Sequence, residues 1–331
     1  MATPIGDNVV TSIARRYILP DVVDNVYNNN LLFFRLNQAN KKIVRGGTQI
    51  EVPLMYQQFA AGGAYTGFEP LDTSPSDTVK NGAWDWKQYY VPVTVDGLTL
   101  IKTDSPEAIA DFIRLYFAQA EMEMSRILGA GLFSDGSTNT KEIDGLEGAV
   151  DDGTNLATYA GLERASANTW WQAQYDAVTT AVGTTAMNNM FGSCTVGGRH
   201  PTIIITTQTN YNRYWALGAG VAGGQRFPAG PGAVDEQLFQ AGYTNLLFNG
   251  IPLCVDDNSP TDGPTGAGSG HHMYFLNEDY IWLACSPRAD FYMEDFQTPT
   301  NQDAMVAKLF FAGNLVINNC QTQGKMPAFT S

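Results

Sequence analysis

The sequence predicts an α+β protein in which part of the chain has no core of its own. Three observations carry this. One long amphipathic helix stands out at 105–129 (SPEAIADFIRLYFAQAEMEMSRILG). The chain before it is a polar arm followed by alternating strand-like runs around a long patternless stretch. The chain after it mixes short β-branched strands with aromatic-bearing helices.

The arm covers 1–44. Ile13, Tyr17 and Ile18 fit a short helix ending before Pro20, and Val22, Val23, Val26 and Tyr27 follow. After Asn28–Asn30 comes the apolar patch Leu31, Leu32, Phe33, Phe34, which is too small to form a core and needs a surface to lie on. Residues 48–56 (TQIEVPLMY) alternate, with Ile50, Val52, Leu54 and Tyr56 on one face. Residues 88–100 alternate again through Tyr89, Val91, Val93 and Val95. The two runs are expected to pair antiparallel. Pro53 and Pro92 confine both to edges, because proline lacks the ladder donor, so the expected element is a two-stranded ribbon. About thirty residues between them exceed the usual ~12–15 for a loop in a compact domain, and a lone ribbon is marginal in water. The ribbon is therefore expected to rest on another copy of the chain; the alternative is a flap folded back on its own domain. Deleting 57–86 is expected to leave a folded subunit that fails to assemble.

Helix 105–129 has Ser105 as N-cap, Pro106 at its first position and Gly129 as its stop. Ile109, Phe112, Ile113, Tyr116, Phe117, Ala120, Met124, Ile127 and Leu128 form one face. At ~1.5 Å per residue it is about 35 Å long. Residues 146–150 read as a short strand. Asn168 or Thr169 is expected to cap a helix carrying Trp170, Trp171 and Tyr175 towards Val182. Residues 202–207 (TIIITT) form a buried strand, and 208–217 a helix with Tyr211, Tyr214 and Trp215. Residues 218–232 form a glycine-rich loop. Asn249-Gly250 marks a hairpin turn within 246–255. Residues 273–276, 281–284, 291–294 and 303–318 are further strands.

The 331 residues are 44% hydrophobic and 11% aromatic but only 16% charged, against a typical ~25%. A surface short of Lys and Glu yet rich in aromatics fits one covered by partners. A net charge of −14 argues against tight nucleic-acid binding, which needs basic groups on phosphates, but not against enclosing nucleic acid. No apolar run is long enough to span a bilayer, and the N-terminus lacks a signal-peptide pattern. Cys194, Cys254, Cys285 and Cys320 are scattered and read as core filling.

Chemical motifs are weak. The glycines Gly218, Gly220 and Gly223 match G-x-G-x-x-G, but a nucleotide fingerprint must follow a strand directly and open a helix. His271 and His272 are adjacent and point to opposite faces. Asp256, Asp257 and Asp262 are expected to form a solvated acidic loop. Glu121 and Glu123 do not share a helical face. No catalytic residues, cofactor or metal site are assigned.

The order of parts, with the stretches GLERASANTWWQAQ, HPTIIITTQTNYNRYWAL, LLFNGIPLCVDDN, MYFLNEDYIWLAC and AKLFFAGNLVINNCQTQGKM, resembles the major capsid proteins of tailed bacteriophages, with the Hong Kong 97-type shell fold. The resemblance covers nearly the whole chain and implies an N-terminal arm at 1–44 and an extended loop at 45–103. It implies a peripheral domain with its spine helix at 104–168 and 290–331, and an axial domain with a mixed sheet at 169–289. The implied function is self-assembly through pentamers and hexamers into an icosahedral shell around double-stranded DNA. An encapsulin-like compartment and a nucleotide-binding enzyme using 218–223 are the alternatives. The implied partners are further copies, a separate scaffolding protein (a fused scaffolding segment before the arm is not expected), a portal protein and a decoration protein. Contacts between copies are assigned to Leu31, Phe33 and Phe34 of the arm, Tyr65, Phe68, Trp84 and Trp86 of the long loop, and Gly220, Arg226 and Phe227 of the glycine-rich loop. Some relatives cross-link through Lys–Asn isopeptide bonds in that long loop, where Lys80 and Asn81 lie.

Overall fold

Where the sequence offers only an apolar patch, a helix forms. The computed structural model describes residues 30–59, 61–97, 106–164, 166–176, 183–219, 246–261, 270–300 and 303–329; the pieces expected at 13–27 lie outside them. Helix α1 (Leu31–Ala39) buries Leu31, Leu32, Phe33 and Leu36. It rests on strand β12 (Ile281–Cys285) of its own chain. Strand β1 (Lys41–Ile43) then runs parallel to β12, with Lys41 opposite Leu283. The end of the arm thus has its supporting surface within the chain.

The ribbon exists, but with a different partner strand. Strand β2 (Gln49–Met55) pairs with β3 (Val79–Asp85), with Gln49 opposite Asp85 and Met55 opposite Val79. This corrects the expected pairing of 48–56 with 88–100. The alternation of 88–100 is real, since β4 (Lys87–Asp96) buries Val91, Val93 and Val95. That strand joins β14 (Ala304–Ile317) instead. β3 was invisible because its inward positions are Gly82 and Trp84, and glycine adds nothing to an apolar pattern.

Helix α2 (Pro106–Gly131) matches the expected long helix and runs past Gly129. A Cβ at Gly129 would sit 2.6 Å from the Asn30 side chain. This glycine therefore permits a close approach and does not stop the helix. Residues 146–150 are a single helical turn, α3 (Leu146–Ala149), in place of the expected strand; Leu146, Ala149 and Val150 are buried together. The expected helix from 169 is also corrected. Ser166–Trp171 is a 3-10 turn broken at Asn168, followed by strand β7 (Gln174–Tyr175). Burial of Trp171 overrides the local helical pattern. An unanticipated helix, α4 (Thr184–Ser193), buries Met187 and Met190 and is followed by buried Cys194.

The larger sheet follows the sequence at 202–207, 246–255 and 273–276 and adds two strands that were not expected. It contains β8 (Ile203–Thr206), β9 (Leu246–Phe248), β10 (Ile251–Val255), β11 (His271–Leu276) and β15 (Gly324–Phe329), in the order β7-β15-β11-β8-β10-β9. β8 and β10 are parallel, as expected of a strand whose every residue is buried. Asn249 and Gly250 both have positive φ, the signature of a type I′ hairpin turn. Helix α5 (Gln208–Ala219) follows β8. Met187, Met190, Tyr214, Phe248, Leu253, Phe275 and Met326 share one apolar core. Gly324 lets β15 lie against α4: a Cβ there would meet Met190 Sδ at 2.7 Å. A second sheet has the order β1-β12-β14-β13, with β13 (Tyr292–Met293), and β4 also pairs with β14. β12 thus lies with β14, and β15 lies among the strands of 174–276.

The chain divides into two units. The described residues of the smaller come from Val91–Glu123 and Met293–Leu309. There Phe117 stacks on Phe296 with centroids 5.7 Å apart, Gly97 N–H donates to Asp303 O, and Gln297 and Val306 exchange backbone hydrogen bonds. The larger unit holds Asn28–Tyr90, Met124–Tyr292 and the chain from Phe310 on.

Candidate assembly surface

The ribbon root is bound into the larger unit by aromatic packing. Trp84 lies on the inner face beside Ile50 and Leu54, all buried. Its ring meets Tyr159 edge-on at 6.0 Å and Trp171 at 6.5 Å, and Tyr159 stacks on Trp171. The ring also covers Gly82, whose Cβ would lie 2.8 Å from Trp84 Cη2. Tyr159 is held by the hairpin of β5 (Thr158–Tyr159) and β6 (Leu162–Glu163). Its turn residues Ala160 and Gly161 both have positive φ, and Ala160 O accepts from Ala83 N–H at 2.9 Å. Trp171 Nε1–H donates to Tyr159 O at 3.1 Å, and the Arg164 guanidinium lies 4.9 Å from the centroid of the Tyr159 ring. Burial pushes the Tyr159 phenol far above its ordinary range.

One layer further out, Lys80 Nζ lies 4.7 Å from the Tyr56 ring centroid and 5.9 Å from that of Trp170. It also reaches Asn168 Oδ1 at 3.5 Å. The lysine noted in the sequence is therefore engaged within its own chain. Trp86 Nε1–H donates to Gly47 O at 3.1 Å.

Beyond this root the chain changes character. Residues 56–78 carry no helix or strand where described. Phe59, Tyr65, Phe68 and Leu71 project into solvent, Phe68 completely. Phe59, Tyr65 and Phe68 are thus three exposed aromatics in series on one connection.

The assigned contact residues therefore separate. Tyr65 and Phe68 are exposed on the loop, Phe34 is partly exposed on α1, and Trp86 is half-buried. Leu31, Phe33 and Trp84 are in the interior of their own chain, which leaves them little surface to offer a neighbour. Gly220, Arg226 and Phe227 lie outside the described residues. Gly218 is inside helix α5, so the first glycine of the G-x-G-x-x-G match is helical and not in a turn after a strand.

The polar clusters serve packing. A cleft of about 280 Å³ beside the root is lined by Asp85, Lys87, Asp135 and Asp144 among others. Its carboxylates are occupied: Asp135 accepts from Ser137 and Thr138, and Asp144 from Asn314 and Lys87. His272 is buried against Glu147 at 3.1 Å while His271 is on the other face, half-exposed. Tyr274 donates to Glu147 at 2.6 Å, and Lys325 Nζ lies 2.9 Å from the same carboxylate. Asp256, expected in a solvated loop, is instead buried, and its Oδ2 accepts from Leu32 N–H at 3.0 Å. Asp262 lies outside the described residues. Sequence reasoning missed Asp256, Glu147, Tyr159 and Lys325 because each acts on residues distant in the chain. Among the described residues, no group of three His, Cys, Asp or Glu side chains could hold a metal ion, and no helix is long and apolar enough to cross a membrane.

No protein-family model and no curated protein matches the sequence. Solved structures do. The capsid asymmetric unit of cyanophage A-1(L) superposes with a TM-score of 0.68 at 18% identity, covering 98% of this chain and 99% of that one. A capsid chain of a native GTA particle gives 0.60 at 11% identity, covering 98% and 99%. An encapsulin complex from Synechococcus elongatus gives 0.60 at 9% identity, covering 98% and 96%.

Proposed function

We propose that this chain, which has the Hong Kong 97-type shell fold, is the major capsid protein of a tailed bacteriophage. Many copies would assemble through pentamers and hexamers into an icosahedral shell enclosing double-stranded DNA. The observation that carries this reading is the two-way coverage: scarcely any of this chain lacks a counterpart in a phage capsid subunit, and scarcely any of that subunit lacks one here. The ribbon supports it, with a root fixed in its own subunit and a tip whose aromatics need another surface. Tyr65 and Phe68 are the residues we assign to a neighbouring copy, together with Phe34 and the loop containing Gly220, Arg226 and Phe227.

The role is structural and not enzymatic, and the shell would reside in the virion. Contacts of one arm on a different patch of the next copy are heterologous and close only with the right geometry. A separate scaffolding protein that sets shell size, and a portal protein at one vertex, are therefore proposed partners. The acidic chain would enclose DNA without gripping it. Negative-stain microscopy of concentrated protein should show closed isometric shells. A protein that sediments only as a monomer at every concentration would overturn the reading.

The encapsulin neighbour supports a second reading, a compartment with protein cargo. Nuclease-treated particles from the native source separate the two: protected double-stranded DNA supports the capsid, and packaged protein without DNA the compartment.

A further inference from the structure

The loop of the ribbon is acidic as well as aromatic. Residues 57–78 carry Glu69, Asp72 and Asp77 and no Lys, Arg or His. Midway along it a turn closes, with Glu69 N–H donating to Thr66 O at 3.0 Å and Thr66 N–H to Glu69 Oε2 at 3.2 Å. That turn leaves the Phe68 ring fully in solvent. Among the described residues, none of the three carboxylates forms an ion pair.

The opposite charge gathers at strand β1. Lys42, Arg45 and Arg288 are exposed, and among the described residues none of them forms an ion pair. The Lys42 ammonium lies 4.5 Å from the Trp282 ring centroid. Val44 N–H donates to Cys285 O at 2.9 Å, so Arg45 continues alongside the turn Ser286–Ala289 that carries Arg288. The ion pair of Lys41 with Asp290, at 2.6 Å, pins the far side of this turn. It also neutralises the carboxylate nearest to the three cations in the chain. Ile43, between Lys42 and Arg45, is 60% exposed, and Tyr292 is exposed two residues beyond Asp290. β1 is the last strand of its sheet.

We propose that Lys42, Arg45 and Arg288 form a seat around Ile43 for the loop of a second copy of this chain, with Phe68 against Ile43 and with Glu69 and Asp72 on the cations. The proposal rests on the shell reading and adds to it the surface that receives the loop. The two surfaces match in both respects: each sets apolar side chains among charges of one sign, and the signs are opposite. Both are bare within a single copy, so the loop does not cover its own β1. A contact between two different patches of identical chains is heterologous and passes from copy to copy. Nucleic acid is the poorer occupant, because a phosphate backbone is gripped by many cations and would leave Ile43 and Tyr292 uncovered.

Charge exchange in the full-length chain tests this, with particles counted by negative-stain microscopy and sedimentation. Arg45→Glu with Arg288→Glu, and separately Glu69→Lys with Asp72→Lys, should each lower particle yield by roughly tenfold or more through like-charge juxtaposition, while the subunit keeps its native unfolding temperature. Both pairs combined in one chain should restore particles. Normal yield from either pair alone, with or without loss of protected DNA, or no recovery in the combined chain, overturns the proposal and leaves the shell reading standing. A native chain that forms no particles overturns both. Should a charge-reversed chain fail to fold, Phe68→Cys and Ile43→Cys chains can be assembled together and oxidised with copper–phenanthroline, since all four native cysteines are buried. Covalent dimers should form several-fold more readily than when Phe68→Cys is mixed with Lys141→Cys; equal yields overturn the proposal.

Discussion

Lys325 has no exposed surface, and its ammonium lies on the Glu147 carboxylate and on the Glu147 carbonyl at 3.0 Å. Burial alone would raise the Glu147 carboxyl. The hydrogen bond from His272, the charge of Lys325 and the hydroxyl of Tyr274 outweigh it and bring the group down to about 2. The sign follows: a depressed carboxylate stabilises the fold above its unfolded value near 4.5, and that contribution is lost as pH falls from there towards 2. Glu147→Ala leaves the lysine buried without its counter-charge and should cost about 3–5 kcal/mol. A urea titration measures this, and an unmoved midpoint would show that the cluster does not pin α3 to the sheet. None of this was legible in the sequence. Glu147 falls in the short strand expected at 146–150, Lys325 lies beyond the last expected strand at 303–318, and the adjacent histidines, though expected on opposite faces, name no partner until the fold supplies one. The same holds for Asp256, whose partner Leu32 lies in the N-terminal arm.

At the scale of elements, the sequence was informative wherever periodicity and local turn chemistry decide the outcome. Helix α2, strand β8 and the Asn249-Gly250 hairpin follow from their residues alone. It misled wherever a tertiary contact decides. Trp170 and Trp171 looked like a helix face but form a 3-10 turn, because Trp171 is drawn under Trp84 and Tyr159. The partner of β2 was missed because β3 shows a glycine where an apolar residue would have completed the alternation. This changes what a deletion can test. Removing 57–86 would take out β3 and strip Trp84 from the core, so unfolding is now the expected result. Replacing 57–77 with a two-residue Asn-Gly turn leaves Tyr56 opposite Thr78 and so keeps β2 paired with β3 in its native register. That variant should keep the native unfolding temperature yet fail to form particles; normal particles by microscopy would show that the loop makes no contact between copies. Trp84→Ala, by contrast, should lower stability by about 3–5 kcal/mol, read by denaturant unfolding of the subunit.

For the whole molecule, composition raises the expectation of a partner-covered surface, and the order of parts that of the Hong Kong 97-type fold, before any element is placed. What composition could not supply is which apolar residues face outward. Leu31 and Phe68 are equally hydrophobic, and only the fold distinguishes the buried one from the exposed one. The cysteines illustrate the converse, being buried as the expectation of core filling requires. All four are buried and reduced, and burial pushes Cys194 and Cys285 up to about 12 and Cys320 to about 11. A thiol reagent at neutral pH should therefore label the folded chain negligibly and the urea-unfolded chain fully; rapid labelling of native protein would contradict this packing. The ribbon root has an optical consequence as well. Three of the six tryptophans, Trp84, Trp170 and Trp171, stand there with their rings in near contact. Their coupled near-ultraviolet circular dichroism should act as a built-in gauge of whether the ribbon is seated, readable without a label in a lone subunit or a completed assembly.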